Sequence, residues 1–176
     1  QLEEKLNPAQ PFIAREEGFN ITSRETPTNY RNAYEQQEIV NRGVNMIVDD
    51  VAEIPIDVGD KIVGLDPIIK NIRKSRVNLL LNIEPNPFQD INSFKRNLII
   101  DLLIDGNIFV YFDGVHLYQL PADNMEIETH ETQYITKYVY QGQVNYTPSE
   151  IIHVKENSFN SIYRGVPRLK PAWRTM

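Results

Sequence analysis

The chain has 176 residues, is 41% apolar, contains no cysteine and carries a net charge of −6 at neutral pH. That length can bury one sizeable core, and the missing cysteines exclude a disulfide framework and any Cys-based zinc or redox site. The acidic balance counts against a sequence-specific nucleic-acid reader, which needs a basic face. No apolar run approaches the roughly 20 residues that cross a bilayer, so a soluble domain without membrane contact is expected.

Residues 1–25 are polar and charged, with Pro8, Pro11 and Gly18 and only a weak apolar cluster at Phe12 and Ile13; they read as an extended arm. Asn20-Ile21-Thr22 and Asn145-Tyr146-Thr147 match the short glycosylation acceptor, a pattern that chance supplies readily. Thr26 as a cap and Pro27 at the first helical position open a helix. Ile39, Val40, Val44, Ile47, Val48, Val51 and Ile54 recur at intervals of three and four, predicting one long helix that ends at Pro55. Asp49, Asp50 and Glu53 lie near its end. With no His or third ligand beside them, they read as a solvated face rather than a metal or acid–base site.

The segment IPIDVGDKIVG alternates apolar and polar residues, as one strand or two short ones around Gly59-Asp60. Asp66-Pro67 repeats the helix-start pattern, and Ile68, Ile69, Ile72, Val77, Leu80 and Leu81 extend a second helix to about Asn82. Lys70, Arg73, Lys74 and Arg76 on its outer side form a basic cluster that suits DNA phosphates, an acidic partner or plain water. Pro85-Asn86-Pro87 breaks the chain, and Asp90 or Asn92 caps a helix over Ser93–Asp105, with Phe94, Leu98, Ile99, Leu102 and Leu103 on one face.

Gly106 ends that helix, because a residue without a Cβ accepts the left-handed conformation. The run IFVYF, the pair Asp113-Gly114 and VHLYQL then predict a hairpin with a tight two-residue turn. Phe109 and Tyr111 share one face, and Ile108, Val110 and Phe112 the other, so at least one set is core and a base-stacking platform is disfavoured. NMEIE, YITKYVY, QVNY and IIHVK follow as strands, with turns at His130-Glu131-Thr132 and Gln141-Gly142. The expected fold is α+β, with long N-terminal helices packed on an antiparallel sheet of about five or six strands. Its inner face is filled by residues such as Ile127, Ile135, Val139, Val144 and Ile152.

Nothing in the chain points to catalysis. His116, His130 and His153 are scattered, no Gly-Lys-Ser or Gly-Lys-Thr phosphate loop occurs and no nucleophile elbow is present. No catalytic, cofactor-binding or metal-binding residue is assigned, and no cofactor is expected.

Four motifs in order carry a resemblance. Leu80, Leu81, Pro85, Asn86 and Phe94 make a Leu-rich helix end followed by Pro-Asn before the core helix. Leu102, Leu103, Gly106, Asn107, Ile108, Phe109, Leu120 and Pro121 form the helix-to-hairpin unit. Pro148-Ser149-Glu150-Ile151-Ile152-His153-Val154-Lys155 is a strand in which an acidic residue precedes two apolar residues and a His. Tyr163-Arg164-Gly165-Val166-Pro167-Arg168-Leu169 is a helix entry.

Together these resemble the portal proteins of tailed bacteriophages. The resemblance implies a homo-oligomeric ring of twelve subunits at one vertex of the capsid in the virion, made in the bacterial host cytoplasm. Through it a separate terminase large subunit packages double-stranded DNA, beside the major capsid protein and a head–tail adaptor or completion protein. The acidic balance does not count against a conduit, since a protein past which DNA must slide gains nothing from tight phosphate contacts. The resemblance also makes residues 26–176 a wing-like domain, cut before stem and clip. A ring subunit needs two unlike surfaces, and opposite charge nominates Arg73, Lys74 and Arg76 against Asp49, Asp50 and Glu53 of a neighbour. Two other classes stay open: another head–tail adaptor or baseplate protein, and a nuclease or peptidase with its catalytic residues elsewhere.

Overall fold

The first apolar repeat is interrupted by the polar run Glu35-Gln36-Gln37-Glu38, and there the helix breaks. The computed structural model describes residues 30–56, 59–60, 70–71, 76–130, 133–158 and 161–170. Residues 30–36 form α1; Gln37 is extended, at φ −105° and ψ 113°, and precedes α2 (Glu38–Ala52). Side chains pin the corner: Asn41 Nδ2 donates to the Tyr34 carbonyl at 3.1 Å, and the Tyr34 hydroxyl to Asn45 Oδ1 at 3.1 Å. The single long helix expected here is therefore two. The break lets Tyr30 and Ala33 face inward independently of the buried stripe Val40, Val44, Val48 and Ala52. The expected start at Thr26-Pro27 and the arm of residues 1–25 lie outside the described residues.

β1 (Gly59–Asp60) pairs antiparallel with β2 (Lys70–Asn71), Gly59 opposite Asn71. The helix expected from Asp66-Pro67 is corrected at residues 70–71, which are extended; among the described residues its expected span is helical at α3 (Arg76–Asn82), and residues 66–69 and 72–75 lie outside them. The β-branched residues Ile68, Ile69 and Ile72 around β2 favour extended backbone. α3 is tied to the end of α2 by Asn82, whose side-chain amide donates to the Ile56 carbonyl at 2.8 Å and accepts from the Ile56 amide at 3.0 Å.

α4 (Ile91–Asp105) begins at Asp90, whose Oδ1 accepts from the amides of Asn92 and Ser93 at 2.9 and 3.0 Å, a side-chain cap for two otherwise unpaired donors. It ends at Gly106, at φ 73°, whose amide reaches the Leu102 carbonyl at 3.0 Å. The expectation of a single apolar face is too simple. Phe94 and Leu98 face the sheet, while Ile99, Ile100 and Leu103 face α2, so α4 is packed on both sides.

β3 (Asn107–Phe112) and β4 (Leu117–Leu120) form the expected hairpin, with Phe112 opposite Leu117. Its turn is centred one residue later than expected, on Gly114-Val115: the Asp113 amide donates to the His116 carbonyl at 3.3 Å, and Gly114 has φ 92°. Asp113 is the reason. Its Oδ1 accepts from the amides of Val115 and His116 at 2.7 and 2.6 Å, which keeps it at the base of the turn with Gly at the first central position.

β5 (Met125–His130), β6 (Gln133–Tyr140), β7 (Val144–Tyr146) and β8 (Ile151–Lys155) complete the chain's ladders. The fold is α+β as expected, but these strands and the hairpin make two antiparallel sheets of three rather than one of five or six. β4-β3-β8 is the central sheet and β5-β6-β7 the outer one. The central sheet buries both faces. Val110 and Leu117 pack on Phe94 of α4 and Leu80 of α3; Phe109, Leu120 and Ile151 pack on Met125 and Tyr138 of the outer sheet. The layers run α2, α4, central sheet, outer sheet.

Of the residues expected on the inner face, Val139 is buried and Ile127 and Ile135 pack partly against the core. Ile152 and Val144 are exposed instead. Both belong to end strands: the register opposite Val110 turns Ile152 to the side of the central sheet that α4 covers only over β3 and β4, and Val144 lies on β7.

Candidate assembly surface

Residues far apart in the sequence meet at the C-terminal end of α4. Gly106 and Gly165 touch backbone to backbone: a Cβ on Gly106 would lie 2.8 Å from the Pro167 nitrogen, and one on Gly165 would lie 2.6 Å from the Glu156 amide. Asn107, 2% exposed, locks this contact. Its Oδ1 accepts from the Gly165 amide at 2.8 Å, and its Nδ2 donates to the Asp105 carbonyl at 2.7 Å. The same Oδ1 lies 3.2 Å from His153 Nε2, which must donate there, leaving Nδ1 to accept from the Tyr138 hydroxyl at 3.3 Å. The imidazole stacks on Phe109 at 4.3 Å between centroids. Burial, then Arg164 and Lys155, push the His153 pKa down to about 4. His153 is thus a neutral strut, not a ligand or base.

A second buried polar cluster holds α1 to α4. Arg31 Nη2 donates to Asp101 at 2.9 Å and to Asp105 at 2.8 Å, and its Nε lies 3.5 Å from Asp123. Gln119 also donates to Asp101. Burial works against the Arg31 charge, but Asp105 and Asp101 outweigh it and hold the guanidinium above its ordinary pKa. Burial likewise lifts Asp101 to about 6, against the pull of Gln119 and Arg31, since one cation serves two carboxylates. The sequence held a sign of this: Asp101 and Asp105 fall on the sheet-facing side of α4 with Phe94 and Leu98, and carboxylates one turn apart there need a buried cation.

The outer surface is more apolar than an isolated domain requires. On α2, Ile39, Met46, Ile47 and Val51 are exposed, as is Ile54 just past its end, since among the described residues this helix has one neighbouring layer to cover its wide apolar arc. Phe88 is 84% exposed on the loop between α3 and α4. That loop is rigidly bonded: Asn86, 2% exposed, donates to the Leu117 carbonyl at 2.8 Å and accepts from the Phe88 amide at 2.9 Å, and the Leu117 amide donates to the Pro85 carbonyl at 2.8 Å.

The residues that meet around Gly106 come from three of the four motifs, and residues 38–176 match the family model described as phage portal protein. The chain belongs to the phage portal protein family. It is 37% identical over 158 residues to the portal protein of Escherichia phage T5, covering 90% of this chain and 39% of that relative. The fold is also that of solved particle components. A chain in the neck of an empty gene transfer agent particle, computed with C6 symmetry, matches with a TM-score of 0.71 at 19% identity, over 85% of this chain and 42% of that one. One in the neck of the native particle, computed with C12 symmetry, matches with a TM-score of 0.66 at 19% identity, over 86% and 41%. The chain therefore spans about two-fifths of the relatives it matches.

The portal motifs explain the knot at Gly106, but the residues nominated for subunit contact are not brought together within the chain. Asp49 is already ion-paired to Arg96 of α4, which joins the two helical layers. Asp50 and Glu53 are exposed at the end of α2. Arg76 is exposed at the start of α3 and reaches the Val115 carbonyl at 3.4 Å. Arg73 and Lys74 lie outside the described residues. Among the described residues no group of three His, Cys, Asp or Glu could hold a metal, and no helix is long and apolar enough to cross a membrane. Phe88 and Arg31 escaped the sequence reading. A Phe between Pro87 and Gln89 offers no periodicity to judge burial by, and the buried partner of an Arg is a property of tertiary structure.

Proposed function

We propose that this chain is the wing-like part of a portal subunit, twelve of which form a ring at the portal vertex of a capsid. The ring is the conduit for double-stranded DNA during packaging and ejection, and it connects head to tail. The role is structural, not catalytic. The partners are other copies of the same subunit, the major capsid protein, the terminase large subunit and a head–tail adaptor, with synthesis in the host cytoplasm before incorporation into the virion.

The observation that carries this reading is the joining of Gly106, Asn107, His153 and Gly165 into one hydrogen-bonded unit inside the region that matches the portal family. The C12 and C6 symmetry of the particles that share the fold supports a ring. Within it, Asp50 and Glu53 face Arg73, Lys74 and Arg76 of the neighbour; Asp49, engaged by Arg96, contributes less. Native mass spectrometry of the full-length protein tests the proposal. A single closed oligomer whose yield falls with salt and with Arg76→Glu is expected, whereas a uniform monomer or dimer would oppose it.

A further inference from the structure

The central sheet is covered unevenly on its helical side. Ile152 and Val154 of β8 stand opposite Val110 and Ile108, on the face that packs against α4, yet they are 49% and 47% exposed. α4 is held over the other edge of the sheet, where Gln119 of β4 donates to Asp101 and Arg31 of α1 joins Asp101 to Asp105. With Phe94 pointing at the sheet, helical spacing turns Asp101 and Ile104 towards β4 and α1, and Leu102 the other way, towards β8. Leu102 is only partly buried. An apolar trough results, with Ile152 and Val154 as its floor and the Leu102 flank of α4 as its wall.

The chain itself arrives at one end of this trough. The contact of Gly165 with Gly106 and Glu156 carries it round the end of β8. Arg168 then ion-pairs with Glu156 at 2.8 Å, and its amide donates to the Leu103 carbonyl at 3.1 Å. Leu169 packs with Ile99 and Leu103 against Val40, Val44 and Val48. Lys170 is helical, and its amide donates to the Pro167 carbonyl at 3.1 Å. Residues 171–176 lie outside the described residues, but in the sequence Leu169, Ala172, Trp173 and Met176 recur at the spacing of one helical face. Pro171 is admitted in a first turn, where its missing N–H has no partner to lose.

We propose that the chain after Leu169 runs as a helix along this trough, antiparallel to α4, and seats Trp173 on Val154 and Met176 on Ile152. The occupant is this chain's own segment because its last described residues already stand at the trough's end, tied there by Glu156 and Leu103. The family match also runs on through residue 176, and the chain spans about two-fifths of the relatives it matches. The lengths agree. Val154 and Ile152 lie about 7 Å apart along a strand and Trp173 and Met176 about 4.5 Å along a helix, so a helix starting beside Lys155 meets them in that order. The segment gives the sheet a second helical cover, and chain that follows Met176 then leaves the domain beyond the Ile151 end of β8. The inference concerns the fold of one subunit and does not depend on the ring.

The absence of cysteine from this chain makes a cross-linking test direct. The full-length protein, on a background free of other cysteines, is given Val154→Cys with Trp173→Cys, and separately Ile152→Cys with Met176→Cys, and treated with a short bismaleimide. Each double variant should give a faster-migrating, internally cross-linked monomer on a denaturing gel, and each single variant should not. The second pair decides the matter if replacing Trp173 disturbs the fold. Val154→Cys alone should react with iodoacetamide at least about tenfold more slowly than Val115→Cys on the hairpin turn, because a covered thiol waits for local opening. Without the segment the two valines are almost equally exposed, at 47% and 45%, so equal rates would show an open trough and overturn the proposal. Cross-links between chains would overturn it in favour of a neighbour's segment. Slow labelling with no cross-link in either pair would overturn it in favour of a different cover.

Discussion

Gly106 and Gly165 are packed so closely that neither position has room for a side chain. Gly106 is also in the left-handed region, at φ 73°, which L residues adopt reluctantly. A Cβ at either glycine meets backbone, which cannot step aside as a flexible side chain can. Gly165→Ala and Gly106→Ala should each destabilise the fold by about 2–4 kcal/mol in urea unfolding. Gly43→Ala is the control: its Cβ meets nothing, so stability should stay level or rise by up to about 1 kcal/mol. Equal effects at all three would show that the two backbones do not meet.

His153 gives the knot a pH dependence of definite sign. Its folded pKa is about 4, against 6.5 for the free side chain. The native state therefore binds fewer protons than the unfolded chain between those values. Its contribution is intact above pH 6.5 and is lost as pH falls towards 4, by roughly 3 kcal/mol. Asp101 acts oppositely, since burial raises its pKa from 3.8 to about 6 and acid relieves its ionisation penalty. The readout is accordingly the stability difference between wild type and His153→Gln, in which Asp101 cancels. That difference should shrink from pH 7 to pH 4; a flat one would mean that His153 is not buried neutral.

Arg31 is the cation between two buried carboxylates. Arg31→Met should cost about 3 kcal/mol at neutral pH, because Asp101 and Asp105 are left without a counter-charge. The loss should diminish in acid as the carboxylates protonate. Unfolding at pH 7 and pH 4.5 checks this, and a loss independent of pH would point to packing alone.

Asn86 and Phe88 should separate stability from surface. Asn86→Ala strands the buried Leu117 carbonyl and releases the loop, and about 2 kcal/mol should be lost. Phe88→Ser removes a side chain that is 84% exposed and should leave the melting temperature within a degree or so. A large drop for Phe88→Ser would mean that its ring is covered within the monomer.

The sequence made some of this readable and hid the rest for physical reasons. α4, Gly106 and the hairpin were legible because cap, stop and strand alternation all agree along Asp90–Leu120. The division into two sheets was not, because alternation fixes which residues share a face but not which strands pair. The break at Gln37 was masked by apolar residues that resume in helical phase beyond it. On α2 the repeat was visible, yet it could not distinguish Val44, which faces α4, from Ile47, which faces outward. An apolar arc wider than one neighbour can cover marks a surface that something outside the described residues covers. The Arg31 cluster depended on α1 folding back over α4, which no local pattern encodes.

Negative-stain electron microscopy of the full-length protein, together with its mass in solution, tests the central claim most directly. The portal account predicts rings of uniform subunit number with a central hole wide enough for duplex DNA. A preparation that remains a uniform monomer or dimer at high concentration, with no annular particles, would contradict it.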